Sequence, residues 1–221
     1  MQIQRLNKLF TVILLTIALL TACTTLPPAD PKHSGKLHEE AIRMTALKNY
    51  PDAIAKYEEA ISYNPKNSTL YRHQAEVLEA NQQFTEASRT YQLALDRLSE
   101  NHPDLEKIHY RLGLLQARNK SKHRKAKQNL AFVTEKWMRL DLEGMILLHG
   151  KTPGDSLKLF NQALSAAENS DQQARIYYHA SLAHYALKDI IESKNTLFHA
   201  VNNARSLALK QHIRIFFEQI R

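Results

Sequence analysis

One cysteine, five glycines and seven prolines are all that 221 residues hold of the three types that most constrain a chain, and each scarcity removes a class of protein. With Cys23 alone, no internal disulfide can form, so a thiol-stapled secreted scaffold is excluded and the sulfur needs another explanation. The glycines, Gly35, Gly113, Gly144, Gly150 and Gly154, are too scattered to make a phosphate-cradling loop, and no Gly-x-Ser-x-Gly elbow occurs. The eleven histidines never stand as His-x-x-x-His or His-Glu-x-x-His, the spacings that bring two imidazoles to one helical face for a metal. His179 and His184 are five apart, share a face poorly, and read as surface or groove residues. No catalytic set, metal or cofactor is expected. Strand-like alternation is missing too, which leaves helices.

The first feature present is an apolar run at the start. Arg5 and Lys8 form a positive flank, and Leu9 to Leu20 form a core of about a dozen residues. A membrane-spanning helix needs roughly 20, so residues 1–22 read as a secretory signal. The run ends in Leu20-Thr21-Ala22-Cys23, which resembles the bacterial lipobox. That resemblance implies cleavage before Cys23, a diacylglyceryl group on its sulfur and a further acyl chain on the new amine, and several chains anchor stably where one would not. Thr24 in place of Asp implies, by the lipoprotein family's sorting rule, the periplasmic face of the outer membrane in an organism with two membranes. From Thr24 to Gly35, Pro27, Pro28 and Pro31 occur without apolar periodicity, so 23–35 reads as a lipidated start and extended tether. The folded body is then expected over 36–221.

Within the body a spacing of 34 residues separates Ala41 from Ala75, Ala53 from Ala87 and Ala60 from Ala94. Small residues at helical spacing mark places where two helices touch, and Tyr57 and Tyr91 fill the space beside the contact. Asn64-Pro65 and the polar turn Asn81-Gln82-Gln83 punctuate the helices. A period of this length made of helix, turn and helix resembles the tetratricopeptide repeat (TPR) family, most closely in NYPDAIAKYEEAISYNPKN at 49–67. The resemblance implies an all-α, right-handed superhelical solenoid of about five repeats, near 34–67, 68–101, 106–136, 137–170 and 174–207. In the third, Gly113 marks the first helix and Ala126, Leu130 and Val133 the second. Its step from Ala87 to Ala126 is 39 residues, so an insertion is expected in the turns around Asn101-His102-Pro103 and Asn119-Lys120-Ser121. The fourth carries Gly144, a Gly150 to Gly154 turn, then Ser156, Phe160 and Ala163. The fifth carries Ser181, a turn at Leu187-Lys188-Asp189, then Ser193, Leu197 and Ala200. Leu209, Ile213, Phe216, Phe217 and Ile220 recur at helical spacing in 206–221, which reads as a helix capping the last repeat, with a docking helix for a partner as the alternative.

In the TPR family the first helices of stacked repeats line a concave groove. Carried over by position, this implies a partner-binding face of Arg72, Glu76 and Glu79, then Tyr110, Leu114 and Arg118, then Met145 and His149, and last Arg175, Tyr178, Leu182 and Tyr185. Tyrosine and arginine often carry interface energy, so a peptide or helix of an envelope protein suits it; packing between repeats is the plainer role for Tyr110, Tyr178 and Leu182. Six Lys or Arg residues crowd into 118–127, making Lys120, Lys122, Arg124, Lys125 and Lys127 candidates for an anionic surface, or simply a solvated turn. The formal charge of +8 falls to +6 once Arg5 and Lys8 are cleaved, and a secretory signal argues against nucleic acid. The build resembles the TPR lipoproteins of pilus biogenesis, or pilotins, which implies a scaffold assisting secretin assembly. Adaptors for peptidoglycan-remodelling enzymes, outer-membrane protein assembly components and polysaccharide-export scaffolds share that build. Self-association is left open.

Overall fold

The computed structural model describes residues 27–99 and 102–221. The signal, Cys23 and Thr24 lie outside the described residues, as does Asn101. The described residues form eleven α-helices and a short 3-10 turn, with no strand. The helices are α1 (Pro31–Ala46), α2 (Tyr50–Tyr63), α3 (Ser68–Ala80), α4 (Phe84–Leu95), α5 (Leu105–Ala117), α6 (His123–Leu130), α7 (Lys136–His149), α8 (Pro153–Ala166), α9 (Ser170–Ala186), α10 (Ile190–Asn203) and α11 (Leu207–Gln219). Ten of them pair in order into five hairpins stacked as a solenoid, and α11 follows the last pair. No helix among the described residues is long and apolar enough to cross a membrane.

The small residues sit where the period places them. Ala41, Ala53, Ala60, Ala75, Ala87 and Ala94 are fully buried, as are Ser156, Ser181 and Ser193 further along. Ser193 Oγ donates to the Ser181 carbonyl at 2.9 Å, so even the polar contact residues have a partner inside the hairpin. Gly113 and Gly144 are needed because the helices approach too closely for a side chain: a Cβ would lie 2.6 Å from Leu142 Cδ2 at the first and 2.5 Å from Phe160 Cε1 at the second.

Four of the five hairpins turn in the same way. Lys48, Gln82, Lys151 and Lys188 all have φ between 61° and 81°. The residue after each donates its N–H back to the first helix: Asn49 to Met44, Gln83 to Leu78, Thr152 to Leu147 and Asp189 to His184, at 2.8 to 3.1 Å. This is the Schellman termination, with a left-handed residue that lacks the usual glycine. The third hairpin departs from it, turning through a 3-10 segment, Lys120–Lys122, that Asn119 caps by accepting from Ser121 N at 3.0 Å.

Three expectations need correction. The tether ends earlier than Gly35: Asp30 accepts from His33 N at 2.9 Å, Pro31 occupies the first helical turn, and Ser34 is buried with its hydroxyl donating to the Ala60 carbonyl. A proline before a helix initiates it, because its fixed φ suits that turn. Val133 lies beyond α6, which has only eight residues, although Val133 is buried. Finally, the fourth turn closes at Thr152, and Gly154 lies inside α8.

Candidate functional site

Residues of α1, α3, α5, α7 and α9 line one face of the solenoid, the concave one, and α11 lies against it. After covering the last repeat, where Leu209, Ile213, Phe216 and Ile220 pack with Tyr178, Leu197 and Ala200, the helix reaches across to the first two repeats. Leu207 and Ala208 at its start pack against Tyr57, Val77 and Ala80. His212 reaches the Glu79 carbonyl at 3.3 Å and lies 5.8 Å from the Phe84 ring. Phe216 is buried edge-on against Tyr185, whereas its neighbour Phe217 is half exposed.

Two cavities flank this helix. The larger, about 800 Å³, opens beside Leu207 and Ala208. Arg72, Glu76 and Tyr110 line it, together with Ile42, Tyr57, His73, Lys107, Trp137 and Asp171. The smaller, about 240 Å³, has His212, Ile215, Phe216 and Gln219 of α11 as one wall. Glu79, Leu114, Arg118, Met145, His149, Tyr178 and Leu182 line it from the other helices. Arg175 faces both cavities. The structure thus brings eleven of the twelve expected groove residues to the two cavities; Tyr185 lines neither and instead packs on Phe216.

Several of these side chains are fixed by buried networks. Glu79 accepts from Arg111 Nη2 at 2.7 Å and from Tyr91 Oη at 2.8 Å. Asp141, fully buried, accepts from Tyr110 Oη at 2.6 Å and lies 2.8 Å from His179 Nδ1, which ties the third, fourth and fifth repeats together. Burial, reinforced by Asp141, raises the Tyr110 phenol well above its ordinary value, so it stays a donor. His179 is therefore a buried groove residue and not a surface one. Arg72 pairs with Glu76 and Asp104, both at 3.1 Å, and lies outside such a buried network.

At the larger cavity His38 and His73 share a hydrogen bond of 2.7 Å. Burial, then Arg72, pushes His73 down to about 4, so that pair is neutral near pH 7. Among the described residues no three His, Cys, Asp or Glu side chains converge as for a metal. The basic residues Lys120, Lys122, Arg124, Lys125 and Lys127 lie on the 3-10 turn and α6, away from both cavities; all are exposed except the half-buried Lys122. Arg118, at the head of that run, instead lies over the Phe84 ring at 4.1 Å.

Arg111, Trp137 and His212 are absent from the sequence-based groove. Arg111 was legible in principle, since Lys107, Arg111, Leu114 and Arg118 recur at helical spacing on α5. His212 was not, because nothing local says that α11 crosses to the second repeat.

The sequence model of the tetratricopeptide repeat matches residues 44–112. Among curated proteins no match is found by sequence. Several solved structures share the fold. PilW, a widely conserved type IV pilus biogenesis factor, superposes with a TM-score of 0.58 at 13% identity over 79% of each chain. PilF of Pseudomonas aeruginosa gives 0.53 at 15% identity over 84% of each. A tetratricopeptide repeat protein of Parabacteroides merdae gives 0.61 at 16% identity, over 86% of this chain and 75% of that one. With the repeat match over residues 44–112 and the same hairpin architecture continuing to Asn203, the chain has the fold of tetratricopeptide-repeat proteins.

Proposed function

We propose that the chain is a periplasmic scaffold, anchored to the outer membrane through lipid on Cys23, that holds a segment of an envelope protein on its concave face and assists the assembly or positioning of that protein. The observation that carries this reading is the larger cavity. It remains open beside α11 and mixes aromatic and aliphatic surface from Tyr57, Tyr110, Trp137 and Met138 with charge from Arg72, Lys107 and Arg175. Aromatic and arginine anchors around a cleft suit a protein segment, and the scaffold acts by binding rather than by chemistry.

Type IV pilus and secretin biogenesis is the first pathway to test, because the fold likeness includes a pilus biogenesis factor. Crosslinking in intact cells, purification of the mature protein and mass spectrometry test it: a secretin or pilus subunit is the expected companion. Peptidoglycan enzymes or barrel-assembly components in its place would overturn the pathway while leaving the scaffold reading standing. For the anchor, Cys23→Ala is expected to abolish palmitate labelling and release the protein from the membrane fraction. Retention of both would refute lipidation at this residue.

A further inference from the structure

The smaller cavity carries positive charge that no acidic side chain among the described residues neutralises, although Arg118 also lies over the Phe84 ring. Arg118 and Arg175 both line it, and neither pairs with a carboxylate among the described residues. Its one acidic lining residue, Glu79, is already engaged by Arg111 and Tyr91. Arg118 caps the C-terminus of α5, where the helix dipole favours a cation, but Arg175, in the second turn of α9, has no such support.

We infer that this cavity binds an oxyanion, a carboxylate or phosphate group held by Arg118 and Arg175. Guanidinium forks match the geometry of both groups, and the apolar wall of Leu114, Met145 and Tyr178 strengthens the attraction by excluding water. Burial, then Arg118, pushes His149 down to about 4, so near pH 7 it is neutral and the two arginines carry the positive charge of the lining. A volume of about 240 Å³ suits one small anion or one acidic side chain. Gln82 and Gln219, both exposed, border it and leave a way in. The inference does not depend on which envelope protein the scaffold serves.

The test is a titration of the mature protein, labelled with nitrogen-15 in arginine and histidine, followed by NMR. Inorganic phosphate is one probe and an acetylated hexaglutamate peptide the other. Saturable shifts of the Arg118 and Arg175 Nε–H signals are expected. Arg118→Gln and Arg175→Gln should each weaken binding about tenfold, the order of one charge-assisted hydrogen bond, with unchanged circular dichroism. Arg175→Lys should retain part of the affinity, and Arg124→Gln, in the exposed basic run, all of it. A response to phosphate would identify a free anion as the ligand, and a response to the peptide alone an acidic side chain of a partner; either supports the site. Absence of shifts with both probes would overturn it, as would equal weakening by Arg124→Gln and Arg175→Gln.

Discussion

Two adjacent phenylalanines at the end of the chain are expected to differ sharply when removed. Phe216 is 4% exposed and packs edge-on against Tyr185, 5.5 Å between centroids, and against Tyr178 at 6.1 Å. Phe217 is 51% exposed. Truncating a buried phenylalanine costs its transfer free energy plus that of the cavity left behind, about 3–5 kcal/mol, and here two aromatic contacts go with it. Truncating an exposed one changes stability by less than about 1 kcal/mol. Each kcal/mol moves the midpoint of a chain this size by about 2–4 °C, so Phe216→Ala should lower Tm by about 10 °C and Phe217→Ala should barely move it. Hydrogen exchange localises the effect: amides of α11 should exchange about two orders of magnitude faster in Phe216→Ala, because the docking of α11 on the last repeat is what is lost. Equal losses for the two substitutions, or unchanged α11 exchange in Phe216→Ala, would refute the packing of this helix.

Three further outcomes follow from the hairpins and the groove. Replacing Lys48, Gln82, Lys151 or Lys188 by glycine should raise stability by about 0.5–1 kcal/mol each in urea denaturation, since a left-handed backbone strains any side chain, while Lys120→Gly in the differently built third turn should not. Gly144→Ala should cost about 1–3 kcal/mol by forcing a Cβ against the fully buried Phe160 ring, whereas Gly35→Ala, with open space around it inside α1, should be neutral or stabilising by up to about 1 kcal/mol. His212 is lowered to about 4 by burial, with Glu79 opposing the shift and Arg111 and Arg118 adding to it. Between about pH 6.5 and 4 the unfolded chain therefore takes up a proton that the folded one does not, so the stability is full above that window and falls as pH drops through it, by roughly 3 kcal/mol for this group. His73 and His149, also lowered to about 4, share that window, so His212→Gln should reduce the slope measured in denaturation without abolishing it; an unchanged slope would remove His212 as a source.

The hairpins were legible because their signal is local. A small residue is required wherever two helices touch, so Ala41, Ala75, Ala53 and Ala87 write the period directly into the chain, and Tyr57 and Tyr91 mark the space beside each contact. Most of the groove was legible for the same reason, since stacking identical hairpins turns one register position into a line. The path of α11 was not. Its apolar stripe says that the helix is buried on one side, but not that it spans from the fifth repeat to the first two, because the residues it meets, Tyr57, Val77, Glu79 and Phe84, are more than a hundred positions away. The start of α1 was missed because three prolines resemble a tether in composition, while the cap at Asp30 and the buried Ser34 hydroxyl depend on tertiary contact.

On the proposed function, the partner lies on the concave face beside α11. A photoreactive amino acid placed in vivo at Ile42 or Lys107, both exposed and lining the larger cavity, tests it against the same probe at Gln92 or Asn161 on the exposed faces of α4 and α8. One crosslinked envelope protein is expected from Ile42 and Lys107 and none from Gln92 and Asn161. Crosslinks of equal yield from all four positions, or from the outer faces alone, would contradict it.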